Sequence, residues 1–468
     1  METKAVSQAQ DLRASDASFA ILSPGLTTGL LMVSGLGILL LSVIAVRLVT
    51  ETDLNGYIST MLLHGGLYLL AAIVVLHSKP ILLAKPTSQG LFWLVIGFAI
   101  VMRLIAMTAP ANLTTDAYRY VWDGRLLMEG INPYLFVPAD PQLSHLRDDA
   151  IFPNINKRDI AHTIYPPMAQ VLFAAGVWIS DSLAGQKAVM FASELVIIAC
   201  LAAWLSSSGL PRAMVLLYAW HPLPIWEFSS QAHLDAGVAA FMAAAILAVT
   251  LRRQGLAGAL LAGGVLIKYY PLILIPALWR RWDWRMPVCF FAVIFLAYLP
   301  FVQGAGLSVF GFLGSHLGNE GYRDGWGFHI IWFLRDFGLV PMDDPDVTTS
   351  VTLAYLAVAL TVLAGLALVA FFNRKRDEFQ PEMMALIGAA FVFFTSPHYP
   401  WYAAFLVMFL VRVPHPALFA MTLFAVVLQL PRPPGGPTWT HVYALAYWLP
   451  LLMFLGQAVF VRWRRRLR

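Results

Sequence analysis

The sequence predicts an all-α protein that crosses a membrane about twelve times. Of its 468 residues 59% are apolar and only 12% are charged, against about 25% charged residues in a soluble domain. A helix crosses the hydrocarbon core with about 20 apolar residues, and only helices satisfy their own backbone groups in lipid. Several long runs contain no Asp, Glu, Lys or Arg: Gly25–Val46, Leu54–Ser78, Met286–Asn319, Val347–Asn373 and Met383–Val411.

This composition excludes a soluble globular enzyme, a disordered protein and a nucleic-acid-binding protein. The net charge of +5 comes mostly from Lys and Arg in short connections, so it indicates orientation in the bilayer and not a nucleic acid partner. The two cysteines, Cys200 and Cys289, each lie inside an apolar run. Their position argues against a disulfide framework and for inert, buried thiols.

Apolar runs and the Lys/Arg bias predict a single transmembrane domain over residues 26–461 with both termini in the cytoplasm. A mobile polar tail over 1–25 precedes this domain, and a basic tail over 462–468 follows it. The same bias predicts that Lys187 and the Arg252–Arg253 pair face the cytoplasm. The predicted spans are 26–47, 57–77, 91–109, 166–182, 187–205, 234–251, 286–303, 351–372, 383–397, 401–412, 415–430 and 440–461.

Two further apolar stretches contain prolines, which disrupt helix interiors. Segment 211–231 holds Glu227 and is interpreted as an interfacial segment at the outer face. Segment 255–279 is interrupted at Lys268-Tyr-Tyr-Pro271 and is predicted to be re-entrant from the cytoplasm, because broken helices at membrane depth line protein-walled cavities. The alternative, that both stretches span, would turn Arg252 and Arg253 outward against the positive-inside bias.

Two long loops, 110–165 and 304–350, fall on the predicted outer face. Both mix charged residues with aromatic and aliphatic ones, so we expect them to fold against the bundle. Long loops in a compact protein are usually functional or disordered. We therefore look for the chemistry of this protein in these two loops.

The first outer loop begins with the strongest candidate for chemistry, Asp116. This residue follows the outer end of the third span within a few positions, where a carboxylate could accept a proton from a hydroxyl substrate. Tyr118, Trp122 and Arg125 share one side of a helix that starts there. The alternative is that Asp116 only places an anion in the first turn of that helix, which is favourable in itself.

The motifs around this residue resemble bacterial members of the GT-C glycosyltransferases, and most closely the mannosyltransferase-like glycosyltransferase family 87 and its relatives. The resemblance covers roughly residues 90–410. It rests on Asp116-Ala-Tyr-Arg-Tyr-Val-Trp-Asp-Gly-Arg125, Gly130-Ile-Asn-Pro-Tyr134, Asn156, Thr163-Ile-Tyr-Pro-Pro-Met-Ala-Gln170, Gln231-Ala-His-Leu-Asp235, Lys268-Tyr-Tyr-Pro271 and Ser396-Pro-His-Tyr-Pro-Trp-Tyr402.

The resemblance implies a GT-C-like helical bundle and an inverting hexosyl transfer, mannosyl by family, from a polyprenyl phosphate at the outer face. It implies Asp116 as the general base. Arginine and lysine suit a lipid phosphate, and the outer-face candidates for donor binding are Arg119, Arg125, Lys268, Arg323 and His398. The candidates for acceptor or sugar binding are Tyr118, Trp122, Asp123, His233, Asp235, Tyr399 and Trp401.

The expected partners are a polyprenyl-phosphate sugar donor, a glycolipid or polysaccharide acceptor, and the bilayer of a cytoplasmic membrane, with the active site on its periplasmic or extracytoplasmic side. No cofactor is required, and no ligand spacing in the loop acids and histidines supports a metal site, although a divalent cation is chemically compatible with them. Two other readings stay open: a flippase or transporter of lipid-linked sugars, and a polysaccharide polymerase or ligase.

Overall fold

The computed structural model describes residues 22–78, 82, 87–310, 318, 321–322, 325–341, 344–372, 380–430 and 439–466. Within these ranges all regular elements are helices, which confirms the predicted all-α class. The longer α-helices are α1 (Pro24–Thr50), α2 (Leu54–His77), α3 (Thr87–Met107), α4 (Asp116–Met128), α5 (Pro167–Ile179), α6 (Leu183–Ser207), α7 (Asp235–Thr250), α8 (Gln254–Val265), α9 (Arg285–Ala305), α10 (His329–Asp336), α11 (Pro345–Phe372), α12 (Pro381–Thr395), α13 (Pro416–Leu423) and α14 (Leu449–Arg466).

Seven helices in the described part of the chain are long and apolar enough to cross a membrane, and the remaining apolar helices are shorter. The seven candidates identify a multi-pass membrane protein. They are Pro24–Thr50, Leu54–His77, Ser88–Met107, Leu183–Ser207, Arg285–Phe310, Pro345–Phe372 and Thr440–Trp463. Of the predicted tails, residues 1–21 and 467–468 lie outside the described part.

Helix α5, which covers the expected span 166–182, packs against the loop helix α4. The rings of Tyr120 and Phe173 stack at 4.5 Å, and Arg125 donates to Asp181 at 2.7 Å. With 13 residues, α5 is about 20 Å long, shorter than a bilayer core of about 30 Å. Helices α4 and α5 therefore lie side by side and run in the same direction, at the end of the bundle where α3 finishes, here called the Asp116 end.

The expectation that Lys187 and Asp116 face opposite sides of the membrane is wrong. Its Nζ donates to the carbonyl of Met107 at 3.1 Å and to that of Ala109. Both carbonyls lie at the end of α3 that leads into Asp116, where the last turn of a helix leaves carbonyl groups without a helical partner. Lys187 therefore lies at the Asp116 end, and α6 runs from there towards the opposite end.

The interfacial interpretation of segment 211–231 is also wrong, because every residue from Ala213 to Ala240 is buried. At one end the guanidinium carbon of Arg212 lies 5.8 Å from the ring centre of Phe92 in the first part of α3. At the other end Gln231 donates to the carbonyl of Pro110. The segment thus runs the full height of the bundle beside α3, and neighbouring elements satisfy the backbone groups that its helix breaks leave open.

Segment 254–279 turns back on itself. Helix α8 leads from the far end of α7 to Lys268, whose ammonium bonds Asp235 at the start of α7. The chain then returns, and the Arg280 N–H lies 3.4 Å from the Gln254 side-chain oxygen at the entry of α8. This is the path that a re-entrant segment takes, and it delivers Lys268 to the Asp116 end.

Residues Pro400–Val411 form a 3₁₀-helix, which is unusually long for that type. A 3₁₀-helix rises about 2.0 Å per residue against 1.5 Å in an α-helix. Twelve residues therefore reach about 24 Å. This length joins Trp401 at the Asp116 end to Arg412, which lies over the ring of Trp204 near the opposite end of α6.

Candidate active site

A cavity of about 430 Å³ opens at the Asp116 end of the bundle. Five stretches that are distant in sequence form its wall: the turn before α4, the end of the first outer loop, the tip of the re-entrant segment, Tyr322 of the second loop, and the start of the 3₁₀-helix. The lining residues are Asn112, Leu113, Thr114, Thr115, Asp116, Arg119, Asn156, Lys157, Ala161, His162, Ile164, Tyr165, Lys268, Tyr322, His398, Tyr399, Trp401 and Tyr402.

Asp116 is the first residue of α4, where its half-buried side chain lines this cavity. Its N–H is oriented towards the hydroxyl of Thr114 at 3.2 Å. Burial and then the negative charge of Asp116 raise the pKa of the Tyr165 hydroxyl well above its usual value. Tyr165 therefore keeps its proton near neutral pH, and the cavity wall combines a carboxylate with a phenol donor.

Arg119 is fixed one turn further along α4. Its Nε donates to Asp123 Oδ1 at 2.7 Å, and its Nη1 donates to the Ala161 carbonyl at 2.9 Å. The Nη2 atom is buried and has no hydrogen-bond partner among the described residues. The guanidinium is thus oriented in advance at the wall of the cavity that Arg119 lines, and a planar guanidinium suits an anion.

Lys268 brings a second positive charge to the cavity. Its Nζ lies 2.6 Å from Asp235 Oδ2 and 4.8 Å from the ring centre of Tyr402. Asp235 is fully buried and also accepts from the Tyr270 hydroxyl at 3.2 Å. Asp235 therefore does not line the cavity; it holds Lys268 in place.

The chain after α12 supplies the aromatic side of the cavity. Ser396 has a left-handed backbone with φ of +48° and turns the chain towards His398. The His398 Nδ1 lies 3.0 Å from the hydroxyl of Tyr443, and its ring stacks on Tyr322 at 5.9 Å. Tyr399 and Trp401 also line the cavity, whereas His233 is buried behind Trp401.

Helix α4 turns the remaining expected residues away from the cavity. Asp116 and Arg119 are three positions apart and share the cavity face, while Tyr118 and Trp122 pack into the folded loop against Phe152. Arg125 bonds Asp181, Asp148 and the Leu146 carbonyl, so it fastens the loop and does not reach the cavity. Asp123 lies behind Arg119, and Arg323 is outside the described residues.

Several lining residues were not among the expected site residues. Tyr165 and Tyr402 lie inside motifs that carry the family resemblance, so the sequence does contain a pattern that identifies them. Lys157 had none, because a lysine in a long loop is ordinary until the fold places it against a cavity. In the described part of the chain, no three His, Cys, Asp or Glu side chains form a group that could hold a metal ion.

Fold and site together define a polytopic helical membrane protein with a polar, cation-lined cavity at one end. A family model described as the MptA_B family, alpha-(1->6)-mannopyranosyltransferase, N-terminal domain, matches residues 16–283. The match covers more than half of the chain, and the chain belongs to this mannosyltransferase family. No curated protein and no solved structure matches the chain.

This membership confirms the expected resemblance to a GT-C mannosyltransferase-like family. The matched range begins at residue 16 and so includes helices α1 and α2, which lie before the region of resemblance that starts near residue 90. It contains Asp116, Arg119 and Lys268. The aromatic residues 398–402 lie beyond its end, and the tertiary structure connects them to the matched part.

Proposed function

We propose that this mannosyltransferase moves one mannose from a polyprenyl-phosphate donor to a hydroxyl group of a glycan or glycolipid acceptor, with inversion at the anomeric carbon. One observation carries the proposal: Asp116 lines a single cavity together with Arg119 and Lys268. A carboxylate can take a proton from a hydroxyl, and two cations can hold a phosphate. Both are required for this reaction.

In the proposed reaction Asp116 removes the proton of the acceptor hydroxyl while the oxygen of that hydroxyl attacks C1 of the donor mannose. The bond between C1 and the phosphate oxygen breaks, and polyprenyl phosphate leaves with that electron pair. The proton on Asp116 then passes to water through the open cavity. The single displacement resembles inverting glycoside hydrolysis with an alcohol in place of water, and the base contributes about 10²–10⁴ in rate.

The leaving phosphate gains negative charge during the displacement. Fixed donors that point to this charge lower the barrier because they need no rearrangement. The guanidinium of Arg119 and the ammonium of Lys268 are the proposed donors, and His398 lines the same cavity on its aromatic side. A phosphate is a stable leaving group, so no strong general acid is required.

The family description names an alpha-(1->6) linkage. If this chain forms that linkage, the nucleophile is the primary C6 hydroxyl of a mannose in the acceptor. An inverting displacement gives an α product only from a β-linked mannosyl phosphate. The proposal therefore includes the anomeric configuration of the donor.

We place this reaction at the outer face of a cytoplasmic membrane that the chain crosses about twelve times. The apolar helices beneath the cavity support a lipid-linked donor, because its prenyl chain can stay in the bilayer while its phosphate reaches Lys268. The proposed reaction uses no cofactor. Transfer in the presence and absence of EDTA tests whether a divalent cation takes part.

The deciding experiment measures mannosyl transfer in reconstituted lipid with labelled polyprenyl-phosphate mannose. Asp116→Asn is compared with Asp149→Asn, whose side chain is exposed in the same loop and does not line the cavity. We expect Asp116→Asn to be slower by at least about 10² and Asp149→Asn to match the wild type. Equal rates for wild type and Asp116→Asn would remove Asp116 as the base.

The same pair of variants distinguishes the proposed transferase from the two alternative functions, a flippase and a polymerase. A flippase should translocate a lipid-linked sugar with Asn at position 116, and a polymerase that relies on arginines should tolerate this change. Translocation without release of polyprenyl phosphate would favour the flippase. Release of polyprenyl phosphate by the wild type and its loss in Asp116→Asn would exclude both.

A further inference from the structure

Three aromatic rings stack on one another from the cavity wall into the protein, in order of decreasing exposure. Tyr399 lines the cavity and is 38% exposed, Trp401 is 5% exposed and His233 is fully buried. The ring centres of Tyr399 and Trp401 are 4.4 Å apart with an angle of 8°. Those of Trp401 and His233 are 3.8 Å apart with an angle of 22°. Trp401 thus covers one face of the Tyr399 ring, and Tyr399 also contributes to the cavity lining.

Glu227 contacts the buried end of this stack. Its Oε2 lies 3.4 Å from the Nε2 of His233, and its main-chain carbonyl accepts the His233 N–H at 3.0 Å. The other carboxylate oxygen lies 3.3 Å from the side-chain nitrogen of Gln429. Neither Glu227 Oε2 nor His233 Nε2 has a hydrogen-bond partner among the described residues. The close contact and the main-chain bond together place Glu227 directly against the ring on which Trp401 stacks.

The backbone around Glu227 is specialised. Glu227 lies in a π-helical turn, Ile225–Ser230, and such turns are frequent at functional sites. Ala232, which directly precedes His233, has φ of +59°. This left-handed conformation is costly for a residue with a β-carbon and persists only where the surrounding structure imposes it. The segment is therefore built to present His233 in one orientation.

We propose that the cavity face of Tyr399 binds a pyranose ring of the acceptor, and that Glu227 is the positioning residue that holds the Tyr399–Trp401–His233 stack in place. The identity of the sugar as mannose rests on the proposed function. A pyranose has an apolar face of C–H groups that packs on an aromatic ring, while its hydroxyls stay at the edge for polar partners. Tyr399 and Asp116 line the same cavity, so a sugar bound on this ring shares that cavity with the proposed base.

The first experiment measures binding of α-(1→6)-mannobiose to the full-length protein in detergent by saturation-transfer NMR. Wild type is compared with Tyr399→Phe, which keeps the ring, and with Tyr399→Ala, which removes it. We expect Tyr399→Phe to bind like the wild type and Tyr399→Ala to bind about three- to tenfold more weakly. Equal affinity for Tyr399→Ala and wild type would overturn the proposal. Because Tyr399 is partly exposed, this pair does not depend on a buried substitution.

The second experiment tests the positioning role with Glu227→Gln, which keeps the size of the side chain and replaces its carboxyl group by an amide. We expect a rise of about threefold or more in the KM for the acceptor, with kcat and the KM for the donor unchanged. A merely structural role would change all three parameters together. An unchanged acceptor KM, or an equal change in the donor KM, would overturn the role of Glu227.

The two experiments distinguish failure of this inference from failure of the proposed function. Mannobiose binding that depends on Tyr399, in a protein that transfers no mannose, would contradict the transferase and leave the sugar-binding face standing. Mannosyl transfer by Tyr399→Ala with an unchanged acceptor KM would contradict the sugar-binding face and leave the transferase standing.

Discussion

Lys268 and Asp235 form an ion pair in which Nζ lies 2.6 Å from Oδ2. The pair joins the tip of the re-entrant segment to the first residue of α7. Asp235 is fully buried, whereas Lys268 lines the cavity. The carboxylate has no access to water, and the pair holds the lysine where a donor phosphate would bind.

Removal of one partner of this pair should cost both stability and activity. Lys268→Gln leaves the buried carboxylate without its cation, and we expect a loss of about 3–5 kcal/mol in the free energy of unfolding. Adding Asp235→Asn to this variant removes the buried negative charge that lacks a partner. The double variant Lys268→Gln/Asp235→Asn should therefore regain much of the lost stability. Thermal unfolding in detergent provides the measurement for both variants.

Activity should not return with stability. We expect Lys268→Gln and the double variant Lys268→Gln/Asp235→Asn to transfer mannose about 10²-fold more slowly than the wild type, because both lack the ammonium at the phosphate. A double variant that is stable and fully active would show that Lys268 only balances the charge of Asp235.

The fixed guanidinium of Arg119 predicts that lysine cannot replace this arginine. A guanidinium can bond Asp123, the Ala161 carbonyl and an anion at the same time, whereas a single ammonium at the end of a flexible chain cannot keep this geometry. We expect Arg119→Lys to lower kcat/KM for the donor about 10–100-fold. The control is Arg158→Lys, in the same loop and outside the cavity wall. Equal effects of the two changes would exclude a specific role for Arg119.

The buried pair of Arg103 and Glu194 predicts a stability effect without a direct catalytic one. Both side chains are fully buried, and Nη2 lies 2.7 Å from Oε1. Arg103 also donates to the Ala219 carbonyl at 2.7 Å, so the pair connects α3 and α6 to segment 211–231. We expect Glu194→Leu to destabilise the protein by about 3–5 kcal/mol, and Arg103→Met/Glu194→Leu to cost less than this single change.

The chain offers a matched control for this measurement. Arg47 and Glu51 form an ion pair at the same distance of 2.7 Å, but their side chains are 78% and 51% exposed. An exposed pair of this kind contributes only about 0–1 kcal/mol. Glu51→Gln should therefore leave the unfolding temperature nearly unchanged. A comparable loss in the two variants would argue against burial as the cause.

Because Lys187 lies at the Asp116 end, the loop between α5 and α6 is predicted to face the same side of the membrane as Asp116. Trp178 is 78% exposed near the end of α5, and Trp282 is 66% exposed at the opposite end of the bundle. In intact cells a membrane-impermeant thiol reagent should modify Asp149→Cys and Trp178→Cys, and it should modify Trp282→Cys only after lysis. Cys200→Ser/Cys289→Ser is the background. Modification of Trp282→Cys in intact cells would invert the proposed orientation.

Local sequence motifs predicted much of the candidate site. Asp116, Arg119 and Lys268 stand in recognisable motifs, and the fold brings all three to one cavity. Arg125 and Trp122 share those motifs but face the folded loop, because their positions fall on another side of α4. No motif in the sequence identified Tyr322, since only the tertiary structure brings it onto His398.

The sequence by itself determined the class of this protein, because long runs without charge are stable only in a bilayer and only as helices. It also determined the candidate base, which stands at the start of an amphipathic loop helix. Only the tertiary structure decided that segment 211–231 runs through the bundle and that α5 lies against α4. A broken helix satisfies its backbone through neighbours that are remote in sequence, such as Val95, whose carbonyl accepts from Trp220. No local pattern contains that information.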